Sequence, residues 1–296
     1  MMQWQYRQVS KLSPMERQQV TQVIEVCHQA DHTADSPYLE NSFNVYPAMP
    51  AFILAYQGPV LGGFATIYAD DATKASVNLL VAPLYRRQGV GQELLQRTQT
   101  ILKTWGYPVP EVEYITEQAF LAANRDFLTN WQLNVLATGE YLMEYDAQLA
   151  KPVQFQPSQV QVTLAQRQDI DQIAQVNYRS FKDSTLALYQ RYAAVNYQDE
   201  LIDLYKITLN DVIIGSAAVE CGQEMAYIFS LAITSAHQGR GLGKAAVKEL
   251  LTAIALTRVG LPIRLNVEIS NLPAYKVYCA NGFKKLTEIV YLEKAH

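Results

Sequence analysis

The chain has 296 residues, 49% hydrophobic and 18% charged, with a net charge of −4 and a pI near 5.6, enough for two packed domains and ill-suited to disorder. An acidic balance without a basic run argues against nucleic acid as a partner, and no apolar stretch is long enough for a membrane span or a signal peptide. Cys27, Cys221 and Cys279 lack the spacing of a disulfide framework and suit reduced thiols, so the expectation is a soluble cytoplasmic protein with no membrane partner.

Trp4 to Val9 reads as a strand. Ser13, Pro14 and Glu16 read as a helix start, with Ser as cap, Pro at the first position and Glu at the third. Val20, Val23, Ile24 and Cys27 carry that helix's apolar stripe. Residues 31–50 read mostly as loop, followed by a hairpin, 51–56 and 60–68, and a strand at 76–82. A glycine turn, Arg86 to Gly91, opens the next helix; a strand at 112–115, a helix at 118–129 and two closing strands within 132–146 complete the half.

The second half repeats the order. Val160 to Leu164 is a strand, Gln168 to Tyr178 a helix, and 180–200 aromatic loop or helix. Leu204 to Leu209 and Val212 to Val219 form a hairpin across Asn210 and Asp211, a pair suited to a tight turn. An apolar strand, Met225 to Ile233, runs into Gln238, Gly239, Arg240, Gly241, Leu242, Gly243 and Lys244, then a helix with an apolar face at 247, 250, 251 and 254, and a strand at 262–269. Gln238, Gly241 and Gly243 match Arg86, Gly89 and Gly91 at an offset of 152 (238 − 86), which also pairs Leu231 with Leu79 and Ile233 with Val81. Order, spacing and identities together indicate an internal duplication. The expected fold is α/β (α+β): two copies of one mixed domain, 1–150 and 156–296, joined near Ala147 to Ser158.

Strand, glycine-rich turn and helix is an arrangement that binds phosphate, because glycine admits close approach and the first helical turn offers free N–H groups. The turn lacks the spacing of a dinucleotide fingerprint and the Ser or Thr of a P-loop. A purely structural turn remains the plain alternative. His28 and His32 stand four apart, but nothing nearby completes a ligand set, so no metal is expected.

A later block, Asn271, Ala274, Tyr278, Gly282 and Phe283, combines with the turn to make the chain resemble the GNAT superfamily of acyl-CoA-dependent N-acetyltransferases, in tandem. The resemblance implies, in each half, a twisted, mostly antiparallel sheet flanked by helices, with fourth and fifth strands splayed to admit the pantetheine arm of acetyl-CoA. It implies pyrophosphate on the backbone of Gln238 to Lys244, pantetheine along Leu231, Ala232 and Ile233, and a hydrogen bond from Asn271. Tyr278 is implied as the acid that protonates the leaving thiolate. In the first half Arg86, Gly89 and Gly91 keep the turn, but Phe120, Phe127 and Trp131 stand where Asn271, Tyr278 and Gly282 would be. The first half is therefore expected to be degenerate, binding CoA without turnover or acting as scaffold. Glu220 and Glu268 are the candidate bases. The expected function is acetyl transfer from acetyl-CoA to a primary amine of a small molecule or peptide, with an acyl-CoA-binding regulatory or scaffold protein as the alternative.

Overall fold

In the computed structural model, residues 3–108, 112–150, 160–181, 184–222 and 224–295 are described. The chain forms two compact units, Met1–Glu140 with Thr287–His296, and Tyr141–Leu286. Most of the proline-containing segment expected to join the halves, 151–158, lies outside the described residues.

In the first unit, β1 (Gln5–Val9) leads to α1 (Pro14–Asp31). The Glu16 N–H donates to Ser13 Oγ (3.3 Å), and the Ser13 N–H donates to the Glu16 carboxylate (2.8 Å), the reciprocal cap read from the sequence. Then come β2 (Phe52–Gln57), β3 (Val60–Tyr68), β4 (Ser76–Val81), α2 (Val90–Thr104), β5 (Glu113–Glu117), α3 (Gln118–Ala123), α4 (Phe127–Trp131) and β6 (Leu133–Tyr145). The helix expected over 118–129 is interrupted at Asn124, whose side-chain amide takes the Phe120 carbonyl (2.9 Å) while its backbone leaves the helical region.

The second unit runs β7 (Val160–Leu164), α5 (Ile170–Phe181), α6 (Leu186–Gln198), β8 (Ile202–Leu209), β9 (Val212–Cys221), β10 (Ala226–Ile233), α7 (Leu242–Thr257), β11 (Ile263–Glu268), α8 (Leu272–Ala280) and β12 (Phe283–Lys294). Asn210 and Asp211 both take positive φ (50° and 64°), the geometry of a two-residue hairpin turn between β8 and β9.

Within each unit the sheet is mixed and mostly antiparallel. In the first, β1-β2-β3-β4-β5 is continued by the C-terminal part of β12, with Tyr291 opposite Ile115 and Ile289 opposite Glu117. In the second, β7-β8-β9-β10-β11 is continued by the end of β6, where Arg264 on β11 pairs with Glu144 (2.9 Å). The sequence reading of two closing strands within 132–146 gives way to one strand of 13 residues. The first unit takes its other closing strand from the chain's C-terminus, so its boundaries differ from a simple division at residue 150.

Helices cover both faces of each sheet. In the first unit Leu94, Ile101 and Leu102 of α2 pack on one face, and Val20 and Ile24 of α1 join Leu54 and Phe64 on the other. In the second, Val247, Leu250 and Ile254 of α7 pack with Ala217, Val219 and Ile228. Each such Val, Leu, Ile or Phe side chain contributes about 1.5–3 kcal/mol on burial. On the opposite face Ser216 Oγ, within β9, donates to Asn177 Oδ1 of α5 at 2.6 Å.

Candidate active site

The site begins where two parallel strands part. β10 and β11 pair over only three residues, Ala226 with Ile263 through Ile228 with Leu265. Beyond Ile228 a β-bulge interrupts the pairing of β10 with β9 between Phe229 and Ala232, and Ser230 within it adopts φ 49°. A bulge re-aims backbone groups away from the ladder, here at Leu231. The register of β10 with β11 ends at Ile228, so Leu231, Ala232 and Ile233 lie beyond it. In the first unit β4 and β5 also part after two pairs, but β4 keeps an unbroken register with β3.

Gly215 was not singled out in the sequence, and it shapes this point. A Cβ there would lie 2.3 Å from the Ala232 carbonyl oxygen and 2.7 Å from Ile233 Cδ1. Its counterpart Gly63, at the same offset of 152 (215 − 63), would put a Cβ 2.8 Å from the Leu80 oxygen. The recurrence of glycine at that offset was the available signal.

The turn follows β10 directly. Gly239 and Gly241 take φ 73° and 78°, and no side chain caps α7. The first intrahelical bond is Ala245 N–H to the Gly241 carbonyl, so the N–H groups of Leu242, Gly243 and Lys244 precede it. A Cβ at Gly239, Gly241 or Gly243 would meet nothing within 4 Å. An uncapped helix N-terminus with clear space in front suits a pyrophosphate. The exposed Gln238 side chain turns back on the strand end, its Nε2 donating to the Ile233 carbonyl (2.7 Å). Arg86 does the same for Val81 through Nε (2.8 Å) and forms a two-point ion pair with Asp31; its guanidinium is committed to structure.

Tyr278 lies in the core cluster that contains Leu265 and Val267 of β11 and borders Leu231. Its ring meets Phe283 edge-on (5.8 Å between centroids). Burial pushes its hydroxyl up to about 12, which keeps it protonated at neutral pH. Asn271 caps α8, its Oδ1 accepting from the Ala274 N–H (3.2 Å), an arrangement that directs its side-chain NH2 away from the cap. Gly282 takes φ 97°, and a Cβ would meet the Asp146 carbonyl at 2.8 Å.

The two candidate bases differ in setting. Glu220 is half-buried on β9, directly opposite Tyr227 of β10 and Ile202 of β8. Glu268 is exposed at the end of β11 and accepts from Ser270 Oγ (3.2 Å). A cavity of about 460 Å³, lined by Tyr178 and Arg179 of α5 with Ser184 and Ser235, opens beside the segment that links β10 to the turn. At the end of α1 and in the loop that follows, Asp31 pairs with Arg86, Glu40 with Arg17, and His28 Nε2 lies 2.7 Å from the Asp35 carbonyl. Among the described residues no group of three or more metal-ligating side chains converges, and no helix is long and apolar enough to cross a membrane.

A model of the acetyltransferase (GNAT) family matches twice, at 17–127 and 167–283. No curated protein matched the sequence. Among solved structures, a GCN5-related N-acetyltransferase from Sphaerobacter thermophilus is similar at 15% identity and a TM-score of 0.73, over 99% of this chain and 96% of its own. A tandem GNAT protein from the clavulanic acid biosynthesis pathway is 15% identical with a TM-score of 0.67, over 99% of each chain. A GNAT-family acetyltransferase from Colwellia psychrerythraea is 17% identical with a TM-score of 0.60, over 98% and 99%. Such identities speak for the fold, while the doubled family match speaks for descent: the chain belongs to the acetyltransferase (GNAT) family of acyl-CoA-dependent acyltransferases, with the family's domain present twice.

Proposed function

We propose that the second unit transfers an acetyl group from acetyl-CoA to a primary amine of a small molecule or peptide, by direct attack of the amine on the thioester, in the cytoplasm. The observation that carries this reading is the parting of β10 from β11 at a bulge, with an uncapped helix N-terminus on one side and the buried Tyr278 on the other.

Leu231, Ala232 and Ile233 offer backbone groups to the pantetheine amides, as an added strand would. Gln238 holds the strand end, and the backbone of Gly239, Arg240, Gly241, Leu242, Gly243 and Lys244 receives the pyrophosphate. Asn271 donates its amide to the cofactor arm. An N–H within the bulge stabilises the oxyanion that forms as the amine nitrogen bonds to the carbonyl carbon. Glu220 removes the proton from the ammonium, directly or through water, since only the neutral amine attacks. As the C–S bond breaks, Tyr278 gives its proton to the thiolate. Glu268, exposed and turned to Ser270, is the weaker base candidate.

Incubation with acetyl-CoA and a pooled library of primary amines, followed by free-thiol detection, tests the reading. Amine-dependent thiol release supports it. Saturable acetyl-CoA binding without release for any amine supports instead a regulatory or scaffold protein that binds acyl-CoA.

A further inference from the structure

We infer that the first unit's acyl-CoA slot is filled by its own side chains, so that each chain holds one acyl-CoA, in the second unit; this rests on the reading of the second unit given above. The observation is a contrast between two equivalent glycines. A Cβ at Gly243, in the first turn of α7, would meet nothing within 4 Å. At Gly91, in the first turn of α2, it would meet the Trp131 indole at 3.2 and 3.5 Å and Leu79 Cδ2 at 3.7 Å. Leu79 and Leu231 are equivalent residues on the strands that part. Trp131 therefore occupies the gap between strand and helix through which a pantetheine arm would reach the turn.

The indole is one of three rings in mutual contact. Phe127 lies 5.6 Å from Trp131, and Phe120 lies 5.0 Å from Phe127, edge-on. They occupy the sequence positions of Gly282, Tyr278 and Asn271, at an offset of 151 (282 − 131). Two hydrogen bonds to backbone carbonyls fix the chain that carries the indole. Lys294 Nζ donates to the Trp131 carbonyl and the Ala295 N–H to the Gln132 carbonyl, each at 2.9 Å. The cluster packs on the unit's core with Leu79, Val81 and Leu128. It buries apolar surface where the other unit keeps polar groups, and neither phenylalanine can donate to a pantetheine carbonyl. The Arg86–Gly91 turn keeps its shape because it starts α2 and anchors Val81, which are structural duties.

Calorimetric titration of the full chain with acetyl-CoA, paired with hydrogen exchange, tests the inference. The expected result is one acetyl-CoA per chain, with exchange slowed at 239–245 and unchanged at 87–93. Gly243→Trp, which fills with an indole the open space in front of the first turn of α7, is expected to weaken binding by about 100-fold or more while the circular dichroism stays that of a folded chain. Two acetyl-CoA per chain, or protection at 87–93, overturns the inference while leaving the proposed function standing. No binding at all overturns both. If the Gly243→Trp chain does not fold, stoichiometry and exchange on the unaltered chain decide the matter.

Discussion

Arg86 and Gln238 perform the same structural task at equivalent positions: each side chain donates to the carbonyl five residues earlier, at the end of the strand that parts, Val81 in one unit (2.8 Å) and Ile233 in the other (2.7 Å). The shared duty of this turn position in the two units is to hold the strand end against the helix start. Charge separates the two. Arg86 also pairs with Asp31, whereas Gln238 carries no charge.

It follows that Arg86→Ala lowers stability, by about 1–3 kcal/mol, because Asp31 is left half-sheltered without its partner. Gln238→Ala costs less stability but loosens the β10 end, raising the KM for acetyl-CoA several-fold. Thermal unfolding and steady-state kinetics on both variants check this division.

Gly215→Ala is expected to be more damaging than an added methyl suggests. Its Cβ would press on the Ala232 carbonyl, a backbone atom that moves only if β10 moves. A loss of about 1–3 kcal/mol is expected, with a fall in kcat/KM for acetyl-CoA of at least about tenfold. Denaturant unfolding and kinetics would show it; a variant with unchanged stability and kinetics would mean the bulge tolerates displacement.

The two glutamates are separable by pH. Glu220→Gln is expected to lower kcat by about 10²-fold and to remove the acidic inflection of the pH–rate profile. Glu268→Gln is expected to leave both within a factor of about two, since its carboxylate faces solvent. An inflection that survives in both variants points to a water chain in the base's place.

Stability in acid should depend on Asp169. Burial raises its carboxyl, but the hydrogen bonds from Lys206 Nζ and the Gln166 N–H, each 2.8 Å, outweigh that and hold it below its ordinary value. A carboxyl lowered in the folded state contributes stability above the unfolded pKa, lost as pH falls through the folded one. Unfolding midpoints of the wild type should therefore drop through the pH 4-and-below range more steeply than those of Asp169→Asn, which starts lower at neutral pH. Parallel curves would show that the pair contributes nothing.

The duplication, the turn and the capped start of α1 were legible because each is a local pattern: glycine spacing, a Ser-Pro-x-Glu cap, apolar periodicity. The closing strands were not, because 132–146 read as two strands of one half and 283–294 carried no strand reading at all, and pairing partners leave little mark on a single sequence. The Asn124 break was hidden by good helix formers on either side. Gly215 lay inside an apolar strand, where only the offset to Gly63 hinted that two backbones meet closely. Trp131 was visible as a substitution for glycine; that its ring lies over Gly91 took three-dimensional packing to see.

In the proposed reaction the second unit catalyses with Tyr278 as the acid. The most direct measurement is thiol release from acetyl-CoA, with an accepted amine, by Tyr278→Phe. The buried ring is retained, so the fold and the acetyl-CoA Kd should stay within about threefold, while kcat falls by about 10²-fold or more. With a hydroxyl pushed up to about 12, the wild-type rate should also show no loss of this proton donor below about pH 10. An unchanged kcat for Tyr278→Phe, in a folded chain that binds acetyl-CoA normally, would contradict the account.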